Sequence, residues 1–251
     1  MIETLAWGVA VSGSLVAGAV AAALLPLWER FATTVTTIGG GLLIGALAFD
    51  LIPEADKHAG TALTALGLVA GTLLFLGIDW LVAHGDERRE LRRAMQAGAA
   101  SGRMGDMGGE AAGRGKSIAL GSFVDGVPET AALGITVAEG DVALPLLVGI
   151  VVANLAEAYG ASEAIVSAGY SRRYPIALFG GIGVTLLVAI FLGANLLSGL
   201  GDRVIGFAEA VAGGAVFATV LVAIFPYAFA EVSRWAAVAA VGGLVASYLL
   251  S

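Results

Sequence analysis

Cysteine is absent from the 251-residue chain and histidine occurs only twice. Thiolate metal centres, disulfide frameworks and Cys-X-X-Cys redox motifs are therefore excluded. Charge is scarce as well. Asp, Glu, Lys and Arg make up 13% of the residues, against roughly 25% in a typical soluble domain. The balance is acidic, at −7, so the chain lacks the basic patch that a nucleic-acid partner would require. The N-terminal "MIETLAWG" lacks the basic region of a signal peptide, so the first apolar run is expected to remain as a helix. No nucleophile–base pair or metal-hydrolase motif falls at membrane depth, and an enzyme is not expected.

What the chain has in abundance is apolar sequence, with 58% hydrophobic residues and a mean hydropathy of +0.91. A helix needs about 20 mostly apolar residues to cross the hydrocarbon core. Eight segments qualify, at about 5–28, 36–54, 61–83, 117–138, 142–168, 175–199, 204–229 and 233–250. Backbone groups in lipid must be satisfied within the segment, which favours helices over strands. The expected fold is thus all-α: one polytopic domain over 1–251 with eight transmembrane helices. The 37 glycines suggest small-residue faces where helices approach closely.

A polar loop at 84–116 separates segments three and four and carries Arg88, Arg89, Arg92, Arg93, Arg103, Arg114 and Lys116. It reads as a solvated cytoplasmic tether. Placing it inside also puts Arg30, Arg172, Arg173 and Arg234 inside, leaving only Lys57 and Arg203 of the 13 basic residues outside. The positive-inside rule then gives a multi-pass cell-membrane protein with both termini outside the cytoplasm. An internal match supports two related halves. "GGLLIGALAFDLIPE" and "GGAVFATVLVAIFPY" each place a proline twelve residues after the second glycine, which suggests an inverted repeat of segments 1–3 and 6–8 around a central 4/5 pair.

Ionisable groups at membrane depth are costly and usually face each other or a polar pathway. Asp79 and Glu209 lie within about two turns of a segment end and read as interfacial carboxylates whose side chains reach water. Asp50, followed by Pro53 and Glu54, lies closer to the outer end of its segment. It divides evenly between an entrance group and an interfacial one. Asp125, Glu129 and Glu157 fall near the middle of theirs. Asp125 and Glu129 are four apart, and Asn154 and Glu157 three apart, so each pair shares a helical face. No Lys, Arg or His lies at that depth. Either some of these carboxylates are protonated or a cation sits among them. Pro128 cannot donate to the Val124 carbonyl, which leaves that oxygen as a further ligand. An all-oxygen set suits hard divalent ions. Ser122, one turn before Asp125, either adds a hydroxyl or bonds back to its own helix. Glu163, six residues beyond Glu157, is off its face and lines the exit or marks the cytoplasmic end.

These features resemble the ZIP (Zrt/Irt-like) metal-ion transporters. "DGVPETAALG" at 125–134 is similar to that family's H-N-x-x-[DE]-G pattern, "ANLAEAYG" at 153–160 to its fifth-helix pattern, and "FDLIPEA" at 49–55 to its second-helix ending. Asp125 stands where a histidine is common, Gly126 where an asparagine is, and the sixth segment offers only Asn195. The resemblance implies uptake of a divalent cation (zinc or a similar ion) as cargo, with no resident cofactor, and the departures from it point to a single, harder site rather than a binuclear one. The metal would be held by Asp125, Glu129, Asn154 and Glu157, with Asp50, Glu54, Ser122 and Glu163 as entrance or accessory positions. An acidic outer mouth of Asp50, Glu54, Asp56, His58, Glu139 and Asp141 would gather ions. The partners expected are the lipid bilayer and metal ions, with a homodimer left open. A proton-coupled carrier of a non-metal solute and a non-transporting relative with a structural polar core are the rival readings.

Overall fold

The computed structural model describes residues 2–25, 29–82, 126–127, 129–137, 144–167, 169–196 and 200–251. The 84–116 loop, Ser122, Asp125, Pro128, Glu139 and Asp141 lie outside them. The described residues form helices and no strand. In chain order they are α1 (Ile2–Leu24), α2 (Glu29–Ala46), a π-helical turn (Leu47–Leu51), α3 (Ile52–Ala59) and α4 (Thr61–Val82). Then come α5 (126–127 and 129–137), α6 (Leu144–Ser167), α7 (Arg173–Leu196), α8 (Asp202–Thr219), a second π-turn (Val220–Ile224), α9 (Phe225–Val232) and α10 (Trp235–Leu250). Six of the described helical runs are long and apolar enough to cross a bilayer, which is the make-up of a multi-pass helical membrane protein.

The expected boundaries need one correction. Segment two, set at 36–54 from its apolar stretch, is helical from Glu29 to Ala59 through the π-turn. Hydropathy marks only the part suited to lipid, whereas the backbone hydrogen-bond ladder carries on into polar sequence at both ends. Asp50 consequently sits inside a continuous rod, half-buried, rather than near its tip.

Helix pairing is set by glycines at points of backbone contact. A side chain at Gly41 would strike the Ala240 carbonyl oxygen, and one at Gly243 that of Ile38, which locks α2 to α10. In the same way Gly214 meets the Leu68 carbonyl and Gly71 that of Val211, locking α8 to α4. The second set reproduces the first after a shift of 173 positions along α2 and α8 (41 to 214, 38 to 211) and 172 along α4 and α10 (68 to 240, 71 to 243). The equivalence runs on through the π-turns (47 to 220), the prolines (53 to 226) and two left-handed residues, Gly60 at φ 80 and Ser233 at φ 55. α2 and α8 also touch each other. Gly40 faces Val220, Ile224 and Phe225, while Gly213 faces Leu47 and Leu51, so the two helices run antiparallel.

The remaining helices gather around α6. Gly18 of α1 lies against Leu155 and Ala158 of α6, and Ser12 Oγ donates to the Gly183 carbonyl of α7 at 2.7 Å. Gly126 and Gly134 of α5 meet Leu186 and Ile190 of α7. Contact between this group and the α2/α8 group runs chiefly along α2 and α6, where Gly39 meets Ala153 and Gly149 meets Leu42 and Leu43. The end of α1 is tied down by two donors. Tyr159 Oη bonds the Leu25 carbonyl at 2.9 Å, and Arg172 bonds that of Ala23 at 3.0 Å, satisfying carbonyls that a helix terminus otherwise leaves open.

Ser233 adopts φ 55 and ψ −143, a region that favours glycine. Ser233→Gly is expected to stabilise the protein by about 1 kcal/mol, read as a higher midpoint in thermal unfolding in detergent. An unchanged or lower midpoint would show that the turn carries no strain.

Candidate functional site

Two apolar clusters divide the interior. The larger joins Val11 of α1, Leu43 and Ala46 of α2, Ala132 and Leu133 of α5, Leu146, Ile150 and Ala153 of α6, Ile190 of α7 and Val216 of α8. The smaller joins Leu15 and Ala19 of α1, Ala158 and Ala161 of α6, and Phe179, Ile182 and Leu186 of α7, with Val127 of α5 packed against it. Four helices pass from one cluster to the other; on α7 the gap, Leu187 to Ala189, stays apolar, and on the other three it changes character. On α1 the gap holds Ser12, Gly13 and Ser14; on α5 it holds Glu129 and Thr130; on α6 it runs from Asn154 to Glu157. The antiparallel course of α5 and α6 puts Glu129 and the Asn154–Glu157 turn in the same polar layer.

Within the layer, Glu129 and Asn154 are each 4% exposed, while Glu157, one turn beyond Asn154, is half-buried. An acid at this depth costs about 3 kcal/mol to insert. The hydroxyls nearby are committed to backbone carbonyls: Ser14 Oγ donates to Val11 at 2.7 Å and Thr130 Oγ1 to Gly126 at 2.8 Å. Asn154 Nδ2 has no hydrogen-bond partner among the described residues. A buried amide left in that state costs about 1–3 kcal/mol. Rotation about Cβ–Cγ would present Oδ1 instead, an acceptor that a cation can use.

Part of the sequence-derived set falls in the gap between the two clusters. Glu129, Asn154 and Glu157 share one layer, and Asp125, four residues before Glu129, falls outside the described residues with Ser122. Among the described residues no three His, Asp or Glu side chains form a ready metal cage. Glu163 is half-buried and two turns from Asn154 along α6. Asn195, on α7, is exposed and bonds its own helix at the Phe191 carbonyl. The serines of α1 were missed by reasoning confined to charge, although the "VSGS" break in the first apolar run was the available signal.

A second polar group lies at one end of the α2/α8 pair. His58 Nδ1 is 3.4 Å from Glu209 Oε2, and His58 Nε2 is 3.7 Å from Glu54 Oε1. Lys57 pairs with Glu54. The expectation that Glu209 reaches water is overturned, because its side chain is 1% exposed. Gly206, one turn earlier on α8, lets Ala55 and His58 of α3 settle directly over that helix. α3 therefore roofs a carboxylate that distance from the helix end alone would leave open. The imidazole stands between two carboxylates on opposite ring nitrogens, so this group does not converge on one point. Glu54 belongs to this end of the helix pair, with Asp50 one turn further in, and neither lies in the polar layer.

No protein-family model matches the chain, and no curated protein is significantly similar to it.

Because Glu209 is buried against His58, the two side chains should be coupled energetically. A double-mutant cycle of His58→Ala and Glu209→Ala is expected to give an interaction energy of about 1 kcal/mol or more, measured by unfolding in detergent. Strict additivity would show that the contact contributes nothing.

Proposed function

We propose that the chain is a ZIP-like membrane carrier that moves divalent metal cations into the cytoplasm. The observation that supports this reading most is the polar layer. Glu129, Asn154 and Glu157 lie together between two apolar clusters, and those stretches of α5 and α6 carry no Lys, Arg or His. Carboxylates at such depth are held by protonation or by a bound cation. The unmatched Asn154 amide favours the cation over a static core, since a structural network is expected to satisfy all its members. With Asp125 contributed from the turn before Glu129, the donors would be oxygens, which suit hard or borderline divalent ions.

The transport reading also draws on the equivalence of α2 to α8 and of α4 to α10. Antiparallel helices with matched contacts are what an inverted repeat produces, and in carriers built that way the binding site lies near the midplane between the halves. Eight spanning helices complete the scheme, with α5 as the fourth. α2, α3 and α4 would correspond to α8, α9 and α10. The basic residues support the orientation. Arg30, Arg172 and Arg234 lie toward one end, by the start of α2, the end of α1 and the turn before α10, whereas Lys57 and Arg203 lie toward the other. The end with more arginines would be cytoplasmic.

On this reading, ions gather at the outer end, where Glu54 and Asp56 add negative charge, and pass to the polar layer between α5 and α6. Glu157, half-buried, would be the first ligand to meet water when the inner side opens. Release follows when its carboxylate is protonated or hydrated. The larger apolar cluster closes the outer side of the layer in the present arrangement, so passage requires the helix groups to move relative to one another along α2 and α6. Of the ions in this class manganese suits an all-oxygen set best, and zinc and cadmium would be held more weakly.

Purified protein in liposomes is expected to admit Zn²⁺, Cd²⁺, Mn²⁺ or Fe²⁺, and Glu129→Ala combined with Glu157→Ala to reduce uptake at least ~100-fold without loss of folded protein. Absence of uptake of every ion by the unaltered chain overturns the carrier reading in favour of a structural core. Proton flux without metal that disappears in Glu157→Gln identifies a proton relay instead.

A further inference from the structure

The two π-turns are not absorbed by the carrier reading. Each is closed by a wide hydrogen bond that reaches five residues back: Ile52 N–H to the Leu47 carbonyl in the first, and Phe225 N–H to the Val220 carbonyl in the second. A proline follows immediately in both, Pro53 and Pro226, and donates no hydrogen bond. Beyond it comes a helix of eight residues, Ile52–Ala59 or Phe225–Val232, and then a left-handed residue, Gly60 or Ser233. Each short helix is thus bounded on one side by a weakened rung and on the other by a swivel. Such interruptions are where helices bend. The antiparallel course of α2 and α8 places the two short helices at opposite ends of the pair.

The turns also bear on one another. The first rests on Gly213 through Leu47 and Leu51, and the second on Gly40 through Val220 and Ile224, with Phe225 beside them. Each π-turn is therefore seated on the glycine of the other helix, in a close-packed interior that transmits displacement. Ala55 and Ala228, equivalent positions on the short helices, are 0% and 1% exposed, so each short helix is docked rather than splayed.

We propose that the two π-turns are coupled hinges, at which α3 and α9 bend relative to α2 and α8 and do so together, at opposite ends of the molecule. The two-state element is the turn itself, whose wide rung either holds or opens. The reciprocal seating on Gly40 and Gly213 biases both turns toward the same state.

The chain has no cysteine, so spin labels can be introduced without background. Asp56 with Val241 reports one end, and Phe229 with Val69, their counterparts, reports the other; all four are exposed. Distances are measured by double electron–electron resonance in nanodiscs without metal, so the outcome does not depend on whether the protein carries cations. Two distance populations are expected at each end. Either Pro53→Ala or Pro226→Ala, which restores an N–H donor, should cause loss of the second population at both ends. A single population at both ends of the otherwise unaltered chain overturns the proposal. So does a proline variant that changes only its own end.

Discussion

Burial of carboxylates in an apolar interior without a positive side chain is the constraint around which the molecule is organised. Each such group costs about 3 kcal/mol at membrane depth, and the stretches of α5 and α6 that hold Glu129 and Glu157 carry no Lys, Arg or His. Chains shed costs of this size unless the groups do something, and here the fold concentrates them. Ser14, Glu129 and Asn154 are buried between the two apolar clusters, with Glu157 half-buried beside them. The apolar layers on either side keep water out and raise the strength of any interaction made within. The same layers make the amide of Asn154 expensive to leave unmatched.

The second carboxylate problem is solved differently. Glu209 is as deeply buried as Glu129, yet α3 folds over it and supplies an imidazole at 3.4 Å. That solution requires the chain to turn back at Gly60, and the close approach at Gly206 lets α3 lie flat on α8. Glu209 thus meets the His58 imidazole, while the stretches of α5 and α6 that carry Glu129 and Glu157 contain no Lys, Arg or His.

Much of this was legible in the sequence. Apolar runs located the helices because lipid imposes a length and a composition on every span. The double glycines marked where α2 and α8 make their close contacts, since close backbone contacts tolerate no side chain. What escaped was tertiary. The helical reach of α2 into "ERFATT" and "EADKHA" has no hydropathy signal, because those turns are stabilised by the ladder and by packing. The burial of Glu209 depends on α3, a short polar helix that composition reads as loop. The π-turns change which residues face inward by one position, and no residue type requires them. The polar layer was half visible: Glu129, Asn154 and Glu157 stood out by charge and polarity, while Ser12 and Ser14 passed as ordinary small residues.

Anomalous diffraction from crystals soaked in a zinc or cadmium salt measures site and ion together. A peak between α5 and α6, within coordination distance of the Glu129 and Glu157 carboxylates and the Asn154 Oδ1, is the expected result. A polar layer without a peak at millimolar metal, with those carboxylates hydrogen-bonded only to one another, would contradict the claim that the buried acids exist to hold a cation.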